Sequence, residues 1–267
     1  MNMPMKLAAL AAFLLMLARP ALAESLTIAA AADLKFAMAE VVEQFRATRP
    51  GDRIEVIYGS SGKFFTQIRN GAPFDMYFSA DIAFPRELER HGLTAGPTRP
   101  YATGRIVLWS LKPELAKTPL QQLPGAAIRK FAIANPQHAP YGQRAKEALR
   151  HQGVWPSMRP KLVMGENIAH TAQFIDSGAA DAGIVALALV LSPTMTGKGA
   201  WSLIPETWHA PLEQGYVITR RAAGNRLAAA FSEHMASEPA RAIMRRYGFA
   251  LPGEHDRGAV QPSGAGK

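Results

Sequence analysis

The chain has 267 residues, 48% of them hydrophobic, with 30 Lys and Arg against 21 Asp and Glu for a formal charge of +9. That hydrophobic share supports a globular core, and the length suits one large domain or two ordinary lobes. There are no cysteines, which excludes disulfides, thiolate metal sites and cysteine nucleophiles.

The N-terminus runs Met1-Asn-Met-Pro-Met-Lys6, then apolar from Leu7 to Leu17, then Ala21-Leu-Ala23 before Glu24. One early positive charge, a short apolar stretch and an A-x-A site predict a cleavable signal peptide over residues 1–23 and a periplasmic location. The stretch is too short to span a membrane, and no later segment approaches the roughly 18 consecutive apolar residues a span requires. About 244 residues then remain, and Lys6 and Arg19 leave with the peptide. Export argues against nucleic acid as a partner. The remaining basic balance fits small anions drawn to a cleft, or scattered solubilising charge, since Lys and Arg form no long run.

Leu26–Ala30 predicts a short buried strand. The helix after it has apolar residues at Leu34, Met38, Val41, Val42 and Phe45, and Asp33 stands at the expected N-cap. A second strand, Arg53–Tyr58, meets Gly59-Ser-Ser-Gly62 and a helix over residues 63–69 that stops at Asn70-Gly71. Ser60 and Ser61 at a strand-to-helix junction offer hydroxyls and free N–H groups to an anion, and the flanking glycines allow close backbone approach. The plain alternative is a serine N-cap followed by a glycine turn. A third strand is expected at residues 75–79 and a helix at 82–91. This alternation predicts βαβ units and a mostly parallel sheet.

Pro97 and Pro100 predict a loop, and the strand at residues 104–110 is the expected crossing into a second lobe. There, strands at residues 131–135, 161–164 and 181–187 alternate with helices from Tyr141-Gly142 to about Gln152 and from Ile168 to Ser177. Residues 216–219 are the expected return, and helices at about 226–236 and 239–247 close the fold. The expected organisation is lobe one over 24–104, lobe two over 105–214, a return segment over 215–253 and a disordered tail over 254–267.

Four junctions stand out: Ala32-Asp33, Ser60-Ser61, Tyr141-Gly142 and Asn167-Ile168. Ligands of open α/β sheets sit beyond the carboxyl ends of strands, where helices begin. Two junctions from each lobe lining one cleft would aim four helix starts at one small anion.

The segments Ala29-Ala-Ala-Ala-Asp-Leu-Lys-Phe-Ala-Met38, Gly59-Ser-Ser-Gly62, Gly71-Ala-Pro-Phe-Asp75 and Phe78-Ser-Ala-Asp81 resemble those of the periplasmic molybdate-binding proteins of ABC transporters. Asn135-Pro-Gln-His-Ala-Pro-Tyr-Gly142 and Arg245-Arg-Tyr-Gly-Phe249 extend the likeness, which runs to about Pro252. The resemblance implies a two-lobed, type II periplasmic binding protein that closes on molybdate or tungstate and delivers it to a membrane permease. It also implies a monomer with no cofactor and no catalytic or metal-ligand cluster of its own. In that family neutral donors and helix starts hold the oxyanion. Ser61 matches the serine that binds by hydroxyl and N–H, with Ser60 beside it. Tyr141 and Ile168 match positions that donate backbone N–H groups. Ala186 stands where some members carry a tyrosine hydroxyl, which Tyr141 is expected to replace from a neighbouring loop. Asp33 departs from the pattern, since many members have a neutral residue there; it is expected to cap its own helix through the N–H of Lys35 or Phe36, the alternatives being a carboxyl that stays protonated beside the anion or a site that prefers an anion carrying its own proton.

Other functions compete with this one. A serine hydrolase built from Ser61, His138 and Asp81 lacks the G-x-S-x-G motif. His91, His138, His151, His170 and His209 show no metal-ligand spacing. Trp109, Trp155, Trp201 and Trp208 are expected to pack rather than stack on sugars. A transcription regulator's ligand domain is excluded by the signal peptide and the lack of a helix-turn-helix. A binding protein for sulfate, phosphate or an organic anion is the closest rival.

Overall fold

A computed structural model of the protein describes residues 24–254; the expected signal peptide and nearly all of the expected tail lie outside the described residues. Among the described residues, ten strands form two five-stranded sheets. The first holds β1 (Ser25–Ala31), β2 (Arg53–Gly59), β3 (Met76–Ser79), β4 (Arg99–Gly104) and β10 (Leu212–Ile218), in the order β2-β1-β3-β10-β4. The second holds β5 (Ile106–Ser110), β6 (Phe131–Ala134), β7 (Leu162–Gly165), β8 (Ala182–Ala186) and β9 (Ala200–Leu203), in the order β7-β6-β8-β5-β9.

The two sheets repeat one plan. β1 runs parallel to β2 and β3, as β6 does to β7 and β8. One strand in each sheet runs against the other four: β10, between β3 and β4, and β5, between β8 and β9. Each sheet is therefore mostly parallel, as expected, with one reversed strand, and that strand is the one on which the chain enters after crossing from the other lobe. Only Arg105 separates β4 from β5, and residues 204–211 make the return.

Helices α1 (Lys35–Ala47), α2 (Ser61–Arg69) and α3 (Ala83–Arg90) follow the first lobe's parallel strands, and α4 (Pro140–His151) and α5 (Ile168–Asp176) follow β6 and β7. Two more, α6 (Arg226–Ala236) and α7 (Glu238–Arg246), return to the first lobe. α1 buries Met38, Val41, Val42 and Phe45, the stripe its periodicity predicts. β3, β6 and β8 are buried along their whole length, as expected of strands with helices on both faces.

Two strands differ from expectation. β4 covers the predicted loop, and Pro100 fits because β4 lies at the edge of its sheet, where a missing N–H costs no ladder bond. β9 is also an edge strand, short and half-exposed, so it carries no alternating signal. Its Trp201 stands opposite Trp109, which is fully buried and donates its indole N–H to the Lys198 carbonyl.

Candidate functional site

The parallel strands of both sheets end at one small cavity. Residues 31–33 and 59–61 with Ala80 line it from the first lobe, and residues 139–141 and 167–168 from the second. Its volume is about 10 Å³, far below the roughly 300–1,000 Å³ of pockets for drug-sized ligands. All four predicted junctions meet here, and Ser60, Ser61, Asp33, Tyr141 and Ile168 all belong to the lining. Ala186 does not. It ends β8 inside the second lobe's apolar core, at the turn into a short helix, Leu187–Val190.

Ser61 begins α2 and is almost fully buried. Its hydroxyl accepts the Ala80 N–H at 3.0 Å, while the Tyr77 hydroxyl donates to its carbonyl at 2.7 Å. Among the described residues its O–H hydrogen has no recorded acceptor, so it is available to the cavity. Ser60 occupies the N-cap position but makes no cap bond. Its hydroxyl instead donates to the His138 carbonyl in the other lobe and pairs with His138 Nδ1 at 2.9 Å. The same carbonyl accepts the Gly62 N–H at 2.9 Å. A Cβ on Gly62 would lie 2.7 Å from that oxygen, so this glycine admits the opposing lobe rather than a ligand.

In the second lobe, Pro140 stands in the first turn of α4 and Asn167 caps α5 by accepting the His170 N–H at 2.9 Å. The N–H groups of Tyr141 and Ile168 lie in first turns, where no partner exists within the helix. Both residues are buried against the cavity. The site thus presents a hydroxyl and helix starts to a shared space, and among the described residues no lysine, arginine or histidine lines it.

Asp33 does not cap a helix. A 3₁₀ turn, Ala32–Leu34, starts the helical path one turn early, so Ala31 and Leu34 take the N-cap positions and neither makes a side-chain cap bond. Asp33 Oδ2 accepts from the Tyr141 hydroxyl at 2.9 Å and from Gln214 Nε2 at 2.8 Å, while Oδ1 is buried without a hydrogen-bond partner. Burial pushes the carboxyl up from its ordinary 3.8 to about 6, opposed by the Gln214 and Tyr141 bonds and by the nearby N–H groups of Asp33 and Leu34. Burial also raises the Tyr141 hydroxyl well above its ordinary range, and the Asp33 charge adds to this, so Tyr141 remains a donor. Its hydroxyl donates to Asp33.

Gln214 and Tyr101 escaped sequence reasoning. The Tyr101 hydroxyl donates to Gln214 Oε1 at 2.6 Å, which turns the Gln214 amide nitrogen toward Asp33. Gln214 is a fully buried amide inside β10, and the available signal was a polar residue leading into the apolar run Tyr216-Val-Ile218. The hydrolase arrangement is absent: His138 pairs with Ser60, and Asp81 faces the Ala83 N–H and Arg144. No group of three or more His, Asp or Glu able to hold a metal occurs among the described residues.

Residues 26–250 match the family model for bacterial extracellular solute-binding proteins. The chain is 35% identical over 238 residues to the molybdate-binding protein ModA of Azotobacter vinelandii, covering 88% of this chain and 94% of that one. It is 32% identical over 241 residues to ModA of Rhodobacter capsulatus, covering 87% and 91%. The solved Azotobacter vinelandii periplasmic molybdate-binding protein matches with a TM-score of 0.80 at 32% identity, covering 85% of this chain and 99% of that chain. The chain belongs to the bacterial extracellular solute-binding proteins and has their two-lobed, type II fold.

Proposed function

We propose that the protein captures a tetrahedral oxyanion, molybdate or tungstate, outside the cytoplasmic membrane and passes it as a monomer to the permease of an ABC importer. The observation that carries this is the small cavity between the lobes, onto which the Ser61 hydroxyl and the starts of α4 and α5 converge without a cation. Ser61 would donate its O–H, and Tyr141 and Ile168 their backbone N–H groups. Ser60 would hold the lobes together, and Ala186 would stay outside the site. Relatives named for molybdate binding support the choice of anion. The role requires no catalysis and no cofactor. A buried serine without a base, in a cavity too small for a peptide or ester, disfavours hydrolysis.

Thermal unfolding and titration calorimetry with sodium molybdate, tungstate, sulfate and phosphate test the reading. Molybdate and tungstate should bind most tightly, and either at 100 times its dissociation constant should stabilise by about 2.7 kcal/mol. A smaller anion leaves buried donors unpaired, at about 1–3 kcal/mol each. Sulfate or phosphate binding as tightly as molybdate would reassign the protein to another oxyanion.

A further inference from the structure

Among the described residues, Asp33 is the only Asp, Glu, Lys, Arg or His side chain in the cavity lining. It is not a spare charge at the rim, because the fold builds a buried network to hold it. Tyr101 fixes the Gln214 amide, and Gln214 and Tyr141 both direct donors at one carboxyl oxygen, Oδ2. Gln214 Nε2 also donates to the Tyr141 hydroxyl at 3.1 Å. The network has no slack: a Cβ on Gly104 would lie 2.2 Å from the Tyr141 hydroxyl and 2.6 Å from Gln214 Nε2. An oxygen that accepts two hydrogen bonds is a poor place for a proton, so a proton on this carboxyl belongs on Oδ1. That atom is buried and unpartnered in a residue that lines the cavity.

We propose that Asp33 enters the ligand complex as the neutral acid, its Oδ1–H donating to the bound oxyanion, so that each anion is taken up together with one proton from solvent. This deepens the oxyanion reading above and rests on it. An ionised carboxylate and an anion sharing so small a space repel each other, and a like charge raises a carboxyl pKa. The carboxyl already stands at about 6 through burial.

Among the described residues, no charged side chain is among the causes that set the Asp33 carboxyl. The 3₁₀ turn packs against α1, α5, β2 and the Leu187–Val190 helix, which carries no ionisable side chain. On α1, Lys35 is exposed and lies over the Phe36 ring at 5.6 Å. On β2, burial pushes the Tyr58 hydroxyl up to about 12. On α5, Asp176 pairs with Lys198 and His170 lies against Phe174. The neighbouring hydroxyls of Tyr141 and Tyr101 are both held protonated, chiefly by burial. Lys63, Glu166 and His138 stand outside the lining, and Lys63 pairs with Glu166.

The test is calorimetric titration of the mature chain with sodium molybdate from pH 6 to pH 8.5, in buffers of different ionisation enthalpy. Near pH 8 the unmutated protein should take up about one proton per anion. Its affinity should rise about tenfold for each unit that the pH falls, levelling off near pH 6. Asp33→Asn keeps an acceptor for Tyr141 and Gln214 and replaces the O–H by N–H. It should bind without proton uptake or pH dependence, about a hundredfold tighter than the unmutated protein at pH 8. It should also melt higher at pH 8, where it no longer buries a charge, which checks that it is folded. Molybdate binding by the unmutated protein with flat affinity and no proton uptake overturns this inference alone. So does loss of binding in a folded Asp33→Asn, which would make the carboxylate an acceptor for a proton on the anion. If neither protein binds molybdate at any pH, the oxyanion reading has failed and this inference falls with it.

Discussion

Ser60 and Asn167 occupy the same place in their two lobes. Each follows an edge strand, β2 or β7, that runs parallel to its lobe's central strand, and each is the N-cap residue of the next helix in extended backbone. Asn167 spends its side chain at home by accepting the His170 N–H. Ser60 spends its hydroxyl on the His138 carbonyl across the cleft, and that carbonyl also takes the Gly62 N–H. The start of α2 is therefore capped by the opposite lobe. One lobe carries a self-sufficient helix start, while the other is completed only when the lobes meet. In the proposed site the donors follow the same division, with the Ser61 hydroxyl on the first wall and backbone N–H groups on the second.

The largest test of that division is Ser61→Ala. A hydrogen bond to a charged acceptor contributes about 1.5–3 kcal/mol, so molybdate affinity should fall roughly ten- to a hundredfold. The same hydroxyl accepts the buried Ala80 N–H. Its loss orphans that donor and should lower stability by about 1–3 kcal/mol. Calorimetry and denaturant unfolding separate the two effects. A variant that melts lower yet binds normally would reduce Ser61 to a support for Ala80.

Ile168→Pro probes the opposite wall. Ile168 is the first residue of α5, where proline's missing N–H is tolerated by the helix, and Asn167 before it is already extended. The substitution deletes a single backbone donor, and Ile168→Ala controls for the lost packing of a buried side chain. Affinity should fall about tenfold more for proline than for alanine, the lower end for a bond to a charged acceptor. Equal affinities would mean that the second wall does not bind through this N–H.

What could be read from the sequence divides along the same lines. Strand-to-helix junctions announce themselves locally, because apolar runs, cap residues and C-terminal glycines lie within a few positions of one another. All four junctions therefore fell on the cavity, and Ser61 with them. What stayed hidden was the use of side chains across long separations. The Asp33 network joins residues 33, 101, 141 and 214, and local pattern favours the N-cap that Asp33 turned out not to form. Gly62 looked like ligand approach but makes room for His138, and Gly104 looked like an ordinary strand start but makes room for Tyr141 and Gln214. In each case the deciding neighbour comes from a distant part of the chain.

The smallest effects bear on the comparison itself. Asn167→Ala removes an ordinary cap and should lower the stability of the unliganded protein by about 1 kcal/mol. Its cap bond lies within one lobe, so it holds whether or not the lobes touch, and molybdate affinity should hardly change. Ser60→Ala removes a bond that exists only between lobes. Separating the lobes returns both Ser60 and His138 to water, so the loss weighs on the closed state and on whatever the closed state encloses. A net contribution of about 1 kcal/mol corresponds to roughly fivefold weaker binding, with little change in unfolding of the ligand-free chain. Denaturant unfolding without ligand and calorimetry with molybdate, run on both variants, should therefore give opposite patterns. If Ser60→Ala loses stability while keeping its affinity, the serine acts as a local cap in solution and the contrast between the two lobes fails.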